Sequence, residues 1–477
     1  VRLNGAQNII LDSLQIEVAD SATYGWGIHL TNDASFNMIT NNTITIPTNT
    51  TSSNFSGIIA SGSLSSNSAA GTTTSSTIIA NNNISGGYYG IRINGDAGGT
   101  GAIGNLIVNN RVEDFYYYGI YVNNTDVVKI VSNTVTRPTR STVSSFYGIY
   151  LTGSISGAAV AKNILHNTHG GATSSTAAAY GIYLSNADAP SGSENNITNN
   201  VLYDFNGNGT IYALYNNGSD GAHYFFNTVS LDNVASTTSS VTRGLYQTGQ
   251  ASNIVFKNNI ISITRGSSGT EEKTAIYLNT TGSTVSSNNN VFYVNGANPD
   301  NYIGSYGSTK YSTLADWQLN TGLDSMSINV DPMFTNLATG NLQPSNPAVN
   351  NIGVPVAVVF DDINGTSRSA TTPDPGAYEF TIQGLDAAIQ WVSPTFAGAA
   401  GPKNITVEVT NTKVTPITSV RLAYTDGTVT QTETFSSLNI QSGASQTLTF
   451  TTPYNLTAAA QLYAYIVQVN NRVDDEQ

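Results

Sequence analysis

The residues best suited to catalysis lie between positions 92 and 137 of the 477-residue chain. They are Arg92, Arg111, Glu113, Asp114 and Arg137. A polysaccharide lyase needs a cation that neutralises a uronic acid carboxylate and a base that removes the neighbouring proton. These residues would supply both if adjacent turns of a repeat brought them together. Ordinary surface salt bridges are the alternative explanation for the same residues.

Other catalytic arrangements have weaker support. A glycosidase needs two facing carboxylates, and the repeats contain few acidic residues. His166 and His169 share one loop, but they lack the carboxylate partners of a metal pair. The chain has no cysteine, which excludes a disulfide scaffold and a thiolate metal site. We therefore expect a non-enzymatic protein without a cofactor, and we keep a lyase or hydrolase acting on acidic polysaccharide as the alternative.

A second candidate site comes from tyrosines at a fixed place in a repeated element, Gly-Ile-any-Leu, which returns every 29 to 33 residues. Side chains alternate along a strand, so the residue two positions after the glycine faces outward. The row that results is predicted to be exposed, about 24 Å long at one strand spacing per repeat, and to bind a glycan or a protein. A purely structural row of stacked rings is the alternative. Its members are Tyr121, Tyr150, Tyr183, Tyr215, Tyr246 and Tyr277.

An asparagine follows each copy of the glycine element, and an apolar residue lies two positions after it. Side-chain amides stacked in successive turns of a repeat can hydrogen-bond to one another and satisfy a tight buried corner. The sequence therefore predicts an asparagine ladder. Its members are Asn42, Asn82, Asn110, Asn133, Asn163, Asn200, Asn227, Asn259 and Asn290.

Three short strands in each repeat of about 30 residues are typical of a parallel β-helix solenoid. Helical faces with a period of 3.6 residues are absent from the sequence. Charged residues make up only 10% of the chain, and the net charge is −13. Without a basic stripe, we expect neither nucleic acid nor anionic membranes as partners. No apolar run approaches the ~20 residues that a membrane span needs.

The repeat ends near Val294. Residues 310–322 predict a short helix, with Thr313 and Asp316 as a capping box and Gly322 as its end. The motifs that follow the repeats are "YSTLADWQ", "DPMF", "LQPSNPAVNNIG", "DINGTSR" and "PDPGAYE". Their order resembles the C-terminal end of the secreted bacterial proteins called choice-of-anchor Q proteins, which are right-handed β-helices.

The resemblance implies that this segment closes the last coils and that Asp362, Arg368, Asp374 and Glu379 tie it together. A structural calcium ion bound by these carboxylates is the alternative. Strand-like runs after residue 384 resemble the CARDB-type immunoglobulin-like modules of bacterial surface proteins. The fold class expected is therefore all-β: β-helix coils in 1–295, last coils and cap in 296–383, and an Ig-like β-sandwich in 384–477.

The same resemblance implies export to the bacterial cell surface, by the type IX secretion route of gliding or adhesive species. Three Asp-Ser-apolar triplets, at 12–14, 20–22 and 324–326, are similar to the O-glycosylation motif of such bacteria. The chain begins without a methionine, and we interpret it as a piece of a longer protein. The expected partners are surface glycans, other surface or filament proteins, and further domains of the same chain.

Overall fold

The structure is a computed structural model that describes residues 1–20, 22–98, 101–296, 300–381, 385–394, 399–413 and 415–473. The described chain is all-β, with about 4% helix. Its contacts define two compact units, Val1–Phe380 and Thr381–Gln477. The first unit is a parallel β-solenoid of about ten turns, which confirms the predicted β-helix.

Each of the first ten coils contributes one strand to each of three parallel sheets, and an eleventh contributes to sheets 1 and 3 only; we number the coils by the strands of sheet 1. Sheet 1 consists of Arg2–Asn4, Gly25–Thr31, Phe55–Ala60, Tyr89–Asn94, Tyr118–Asn123, Phe146–Thr152, Ala179–Ser185, Ile211–Asn217, Thr242–Thr248, Lys273–Leu278 and Asn301–Tyr306, with Thr309–Tyr311 added antiparallel. Sheet 2 consists of Ile10–Asp12, Met38–Thr40, Ile78–Ala80, Leu106–Val108, Lys129–Val131, Ala159–Ala161, Asn195–Thr198, Ala222–Phe225, Ile254–Lys257 and Val285–Asn288. Sheet 3 consists of Gln15–Glu17, Thr43–Thr45, Asn83–Ser85, Arg111–Glu113, Thr134–Thr136, Ile164–His166, Val201–Tyr203, Thr228–Leu231, Ile260–Ile263, Val291–Val294 and Ile328–Asn329.

The strand register places identical repeat positions directly above one another. Ile91 pairs with Ile120, which pairs in turn with Ile149. All three side chains are fully buried in one continuous core. Because side chains alternate along a strand, the residue that follows each of these isoleucines points out of the solenoid. The repeated Gly-Ile-any-Leu pattern therefore specifies the core and the outer surface together.

The asparagine ladder is confirmed. The side-chain Nδ2 and the backbone N–H of each member donate to Oδ1 of the next, as in the pair Asn133 and Asn163, at 3.0 and 2.9 Å. The ladder runs unbroken from Asn42 to Asn290. At its last member, Nδ2 of Asn290 donates to Oδ1 of Asp324 at 3.0 Å. Every side-chain amide of the ladder therefore has a hydrogen-bond partner, as buried polar groups require.

A helix after the last coils, Leu314–Thr321, packs its one buried residue, Trp317, against Gly304. The predicted caps are confirmed, because the Thr313 hydroxyl accepts from the backbone N–H of Asp316 and Gly322 adopts a left-handed φ of 71°. The indole Nε1 of Trp317 donates to Asp324 at 2.8 Å. Asp324 thus anchors both the helix and the ladder, which gives this part of the 324–326 triplet a structural role.

Residues 331–380 run back along the side of the solenoid, at the turn between sheets 2 and 3. Backbone groups of Ile352, Val354 and Asp361 contact turn residues of coils 10, 9 and 7 in that order. Two short 3-10 helices, Leu337–Thr339 and Pro347–Val349, lie in this segment. The segment thus covers the flank of coils 6 to 10.

The second unit contains small antiparallel sheets around its own core, which includes Val407, Leu422 and Ile466. The first sheet consists of Ala387–Ser393, Thr406–Asn411 and Ser445–Thr449, the second of Gly401–Lys403 and Tyr454–Leu456, and the third of Thr430–Phe435, Val420–Thr425, Tyr463–Val469 and Arg472–Val473. The ends of the predicted module at 384 and 474–477, and Ser21 of the 20–22 triplet, lie outside the described residues. A 3-10 helix, Gly170–Ala172, completes the described elements. Among the described helices, none has the length and apolar character needed to span a bilayer.

Candidate aromatic binding face

The six tyrosines of the predicted row lie on the outer face of sheet 1, one in each coil from 5 to 10. A second row runs beside it, at the position immediately before the glycine of the repeated element. The second row consists of Tyr89, Tyr118, Tyr147, Tyr180 and Tyr212. We call the two rows together the tyrosine face.

Glycine between the two rows lets the coils approach closely. A Cβ at Gly119 would lie 2.5 Å from a side-chain carbon of Val135 inside the solenoid and 2.6 Å from the carbonyl oxygen of Gly148 in the next coil. Real Cβ atoms do not tolerate such distances without a shift of their surroundings. Small residues at this position therefore fix the strand against the core, and the rings on either side of it extend outward.

The rings of the tyrosine face stack mainly on one another. Tyr183 and Tyr215 lie with ring centroids 4.2 Å apart and planes at 17°, and the pair Tyr215 and Tyr246 has values of 4.9 Å and 18°. Where stacked rings cover each other, their faces are withdrawn from solvent. The row is accordingly half-buried instead of fully exposed, and Tyr246 is 8% exposed.

A guanidinium group lies at each end of the tyrosine face. The Cζ atom of Arg92 is 4.4 Å from the ring centre of Tyr89 and 4.6 Å from that of Tyr121. At the other end, Arg243 lies 4.2 Å from the ring centre of Tyr277 and 3.4 Å from a carboxylate oxygen of its ion-pair partner Glu272. Cations over aromatic rings are stabilising, so both arginines hold the ends of the face.

Burial keeps the phenols of the face protonated. It raises the pKa of Tyr121 and Tyr183 to about 12, with neighbouring tyrosines adding to the effect. The pKa of Tyr118 is raised further by the same causes. Because the neutral phenol both donates and accepts hydrogen bonds, these hydroxyl groups offer both functions at neutral pH.

The candidate lyase residues occupy different parts of the solenoid. Arg111 and Glu113 form an ion pair at 2.7 Å on the outer face of sheet 3. Arg92 lies on sheet 1, almost fully buried beside the tyrosines, and its Nε donates to Asn94 at 3.1 Å. Arg92 and the ion pair of Arg111 and Glu113 thus lie on two different sheets.

The remaining two candidates hold a loop together. The carboxylate of Asp114 accepts from the backbone N–H groups of Thr139 and Arg140, both at 2.9 Å. Arg137 is fully buried and donates to the carbonyl oxygen of Thr168 at 2.8 Å. The side chains of Asp114 and Arg137 thus hydrogen-bond to backbone groups of the loop. The five candidate residues do not form one convergent site.

The cap residues named by the resemblance form one network. Arg368 donates to Glu379 at 3.2 Å, and the backbone N–H of Glu379 donates to Asp362 at 3.0 Å. Asp374 accepts from the backbone N–H of Phe380 at 2.7 Å, and burial raises its pKa to about 6. Within the described residues, no group of three His, Asp or Glu side chains is placed to hold a metal ion.

Sequence reasoning missed a cavity at the first coils. Trp26 and His29 line it together with Val1, Arg2 and Leu64, in a volume of about 380 Å³. Neither ring nitrogen of His29 has a hydrogen-bond partner among the described residues. The repeated pattern contains no signal for the loop of Leu64 and Ser65 that lines this cavity.

The geometry defines the class of protein as a parallel β-solenoid with an aromatic face. No known family model matches the chain, and no curated protein matches it.

Proposed function

We propose that the chain is a rigid, non-enzymatic segment of a bacterial cell-surface protein, and that the tyrosine face binds glycan. The unbroken stack of rings from Tyr89 to Tyr277 carries the proposal. Stacked rings present phenolic hydroxyl groups at intervals close to one coil, about 4.8 Å. A linear polysaccharide, with hydroxyl groups along its length, matches such a line of donors and acceptors.

The surroundings of the hydroxyl groups support a polar ligand. Tyr215 shares a hydrogen bond with Thr248 at 3.0 Å, and Asn217 donates to the hydroxyl of Tyr183 at 3.3 Å. Thr248 also donates to Asn217 at 3.0 Å. The rim of the face is thus a polar network that holds the phenols in place, as a preorganised binding surface requires.

Localisation and the C-terminal unit belong to the same proposal. The resemblance of residues 300–380 to choice-of-anchor Q proteins supports export to the cell surface. The antiparallel sheets of the second unit, and the resemblance of its sequence to CARDB-type modules, support an Ig-like module. A rigid solenoid followed by such a module suits a spacer in an adhesin.

The test replaces Tyr150, Tyr183 and Tyr215 together by Phe. The rings and their stacking remain, while three hydroxyl groups disappear, so the melting temperature should stay within a few degrees. On a glycan array, the wild-type chain should bind linear polysaccharides, and the triple Phe variant should lose most of that signal.

A triple Thr variant at the same positions is the matched control, because Thr favours strands but cannot stack. It should lose both stability and glycan binding. A wild-type chain that binds no glycan, or a triple Phe variant that binds as well as wild type, would show that the hydroxyl groups of the face do not bind glycan.

A further inference from the structure

The outer face of sheet 1 carries the cavity of the first coils, beyond the Arg92 end of the tyrosine face. Trp26 and His29 line this cavity at the positions that tyrosines occupy in later coils. Arg2 pairs with His29 in the strand register, so the two side chains share the outer face. The volume of about 380 Å³ is at the small end of the range for small-molecule pockets, which suits a single ring.

A loop after the third strand of sheet 1 forms another wall of the cavity. Its residues Leu64 and Ser65 line the space. Coil 4 holds the loop in place, because Nδ2 of Asn94 donates to the carbonyl oxygen of Asn67 at 2.9 Å and Arg92 donates to Oδ1 of Asn67 at 3.3 Å. The wall is therefore fixed to the solenoid in advance, as in most small-molecule sites.

The cavity wall contains buried polar atoms that lack partners. Neither ring nitrogen of His29, which is 2% exposed, has a hydrogen-bond partner among the described residues, and the buried indole Nε1 of Trp26 has none there either. The two rings meet edge to face, with centroids 4.7 Å apart. Because unpaired buried polar groups are costly and rare, this wall favours a polar ligand that supplies the missing partners.

The imidazole of His29 is neutral at neutral pH. Burial lowers its pKa, and the charge of Arg2 adds to this effect. The backbone of Ser61 opposes the shift, but it does not meet hydrogen-bond geometry with either ring nitrogen. A neutral imidazole has one N–H donor and one acceptor nitrogen, and a hydroxyl group of a ligand can bond to either.

Arg2 brings an unpaired positive charge to the same site. Its side chain is exposed, and it makes no ion pair or hydrogen bond within the described chain. A guanidinium group binds a carboxylate through two parallel N–H bonds. Tyr24 and Trp26 contribute aromatic rings to the cavity, whose apolar faces suit the C–H side of a sugar ring.

We propose that this cavity binds a uronic acid, a sugar ring with one carboxylate and several hydroxyl groups. Arg2 pairs with the carboxylate, Tyr24 and Trp26 lie against the ring, and His29 and Ser65 hydrogen-bond to hydroxyl groups. The site is separate from the tyrosine face and does not depend on glycan binding there. The same chemistry is offered by a free uronic acid and by one that ends a polysaccharide.

Isothermal titration calorimetry of the full chain with glucuronate and galacturonate tests the proposal. Glucose and galactose, which have a hydroxymethyl group in place of the carboxylate, and acetate, which has no ring, are the reference ligands. At least one uronate should bind saturably, about tenfold or more tightly than its neutral sugar and than acetate, since the charge-assisted pair and the ring contacts act together. An oligosaccharide that ends in the same uronic acid identifies the source, because a chain end should then bind more tightly than the free sugar.

Two variants remove the polar groups of the cavity. Arg2→Gln should weaken uronate binding about tenfold or more, because it removes the charge-assisted pair. His29→Phe keeps a ring of similar size and should weaken binding about fivefold, whereas the melting temperature of the unliganded chain should stay equal or rise, since unpaired buried nitrogens disappear. A merely structural histidine would not separate binding from stability in this way.

Arg421→Gln is the matched control. Arg421 is an exposed arginine of the second unit, so its loss should leave uronate binding unchanged. The triple Phe variant of the tyrosine face should also bind uronate as wild type does, which separates this site from the proposed glycan face.

Three results would overturn the proposal. The first is an absence of saturable binding of both uronates. The second is equally tight binding of the neutral sugars or of acetate, which would show that the cavity does not recognise a sugar acid. The third is unchanged uronate binding in Arg2→Gln and His29→Phe, which would place the uronic acid elsewhere on the chain.

Discussion

Each amide of the asparagine ladder is buried and makes bonds on two sides, so single substitutions should be costly. Asn82 accepts from the backbone N–H of Asn42 at 3.0 Å and donates to Oδ1 of Asn110 at 2.9 Å. Asn82→Ala should lower the free energy of unfolding by about 1–3 kcal/mol, since it leaves buried partners unsatisfied. Chemical denaturation measures the difference.

The next residue in the chain provides the control for the ladder. Asn83 points outward on sheet 3 and is exposed, so Asn83→Ala should change the free energy of unfolding by less than about 0.5 kcal/mol. Equal losses from the two neighbouring substitutions would show that the ladder contributes nothing specific.

The tyrosine face makes a prediction about alkaline pH. Burial raises the pKa of Tyr121 and Tyr183 to about 12, whereas an unfolded chain has a tyrosine pKa of about 10. A pKa that is raised in the folded state contributes stability that is present below pH 10 and lost as the pH rises toward 12. The melting temperature should therefore fall steeply between pH 10 and pH 12.

Ultraviolet titration of tyrosinate checks the cause of that fall. In the native chain a large share of the 26 tyrosines should remain protonated at pH 11, while the urea-unfolded chain should titrate as one group near pH 10. Identical titration curves for the two states would contradict the half-buried stack.

At the scale of elements, short sequence patterns predicted the strands and corners that recur in each coil, and the ends of the helix. The Gly-Ile-Tyr strands, the asparagine corner and the caps at Thr313 and Gly322 all follow from short-range rules, and the structure contains them. The course of residues 331–380 along the flank did not follow from such rules, because contacting residues such as Asn258 and Val354 lie 96 positions apart. The burial of the rings was also missed, since it depends on contacts between coils.

The helix that follows the coils depends on one residue for its packing. Trp317 is fully buried, and its indole bonds to Asp324, which also receives the last amide of the ladder. Trp317→Ala should cost about 3–5 kcal/mol, the usual cost of removing a large buried aromatic side chain. Thermal and chemical unfolding of the variant measure this loss.

Leu319, in the same helix, is the matched control. It is 83% exposed, so Leu319→Ala should leave the unfolding transition unchanged within about 0.5 kcal/mol. If Trp317→Ala proved equally harmless, the helix would not contribute to the stability of the last coils.

At the scale of the whole molecule, the solenoid behaves as a nearly one-dimensional stack in which each coil contacts its neighbours. About ten coils at about 4.8 Å each give a rod of about 50 Å. One flank of this rod carries the tyrosine face, and another carries the returning segment of residues 331–380. A protein built in this way can offer long surfaces to linear partners without a deep cleft.

The same architecture argues against the lyase alternative, and this is the last prediction. A lyase must bring a free cation and a free base to one sugar ring, but Arg92 lies on sheet 1, and on sheet 3 Arg111 and Glu113 are bound to each other at 2.7 Å. Purified chain incubated with acidic polysaccharides, with and without calcium, should release no unsaturated or reducing ends. Turnover that persisted through purification and disappeared in Arg111→Ala, a substitution at an exposed side chain, would establish catalysis at sheet 3. It would overturn the assignment of the chain as a binding segment.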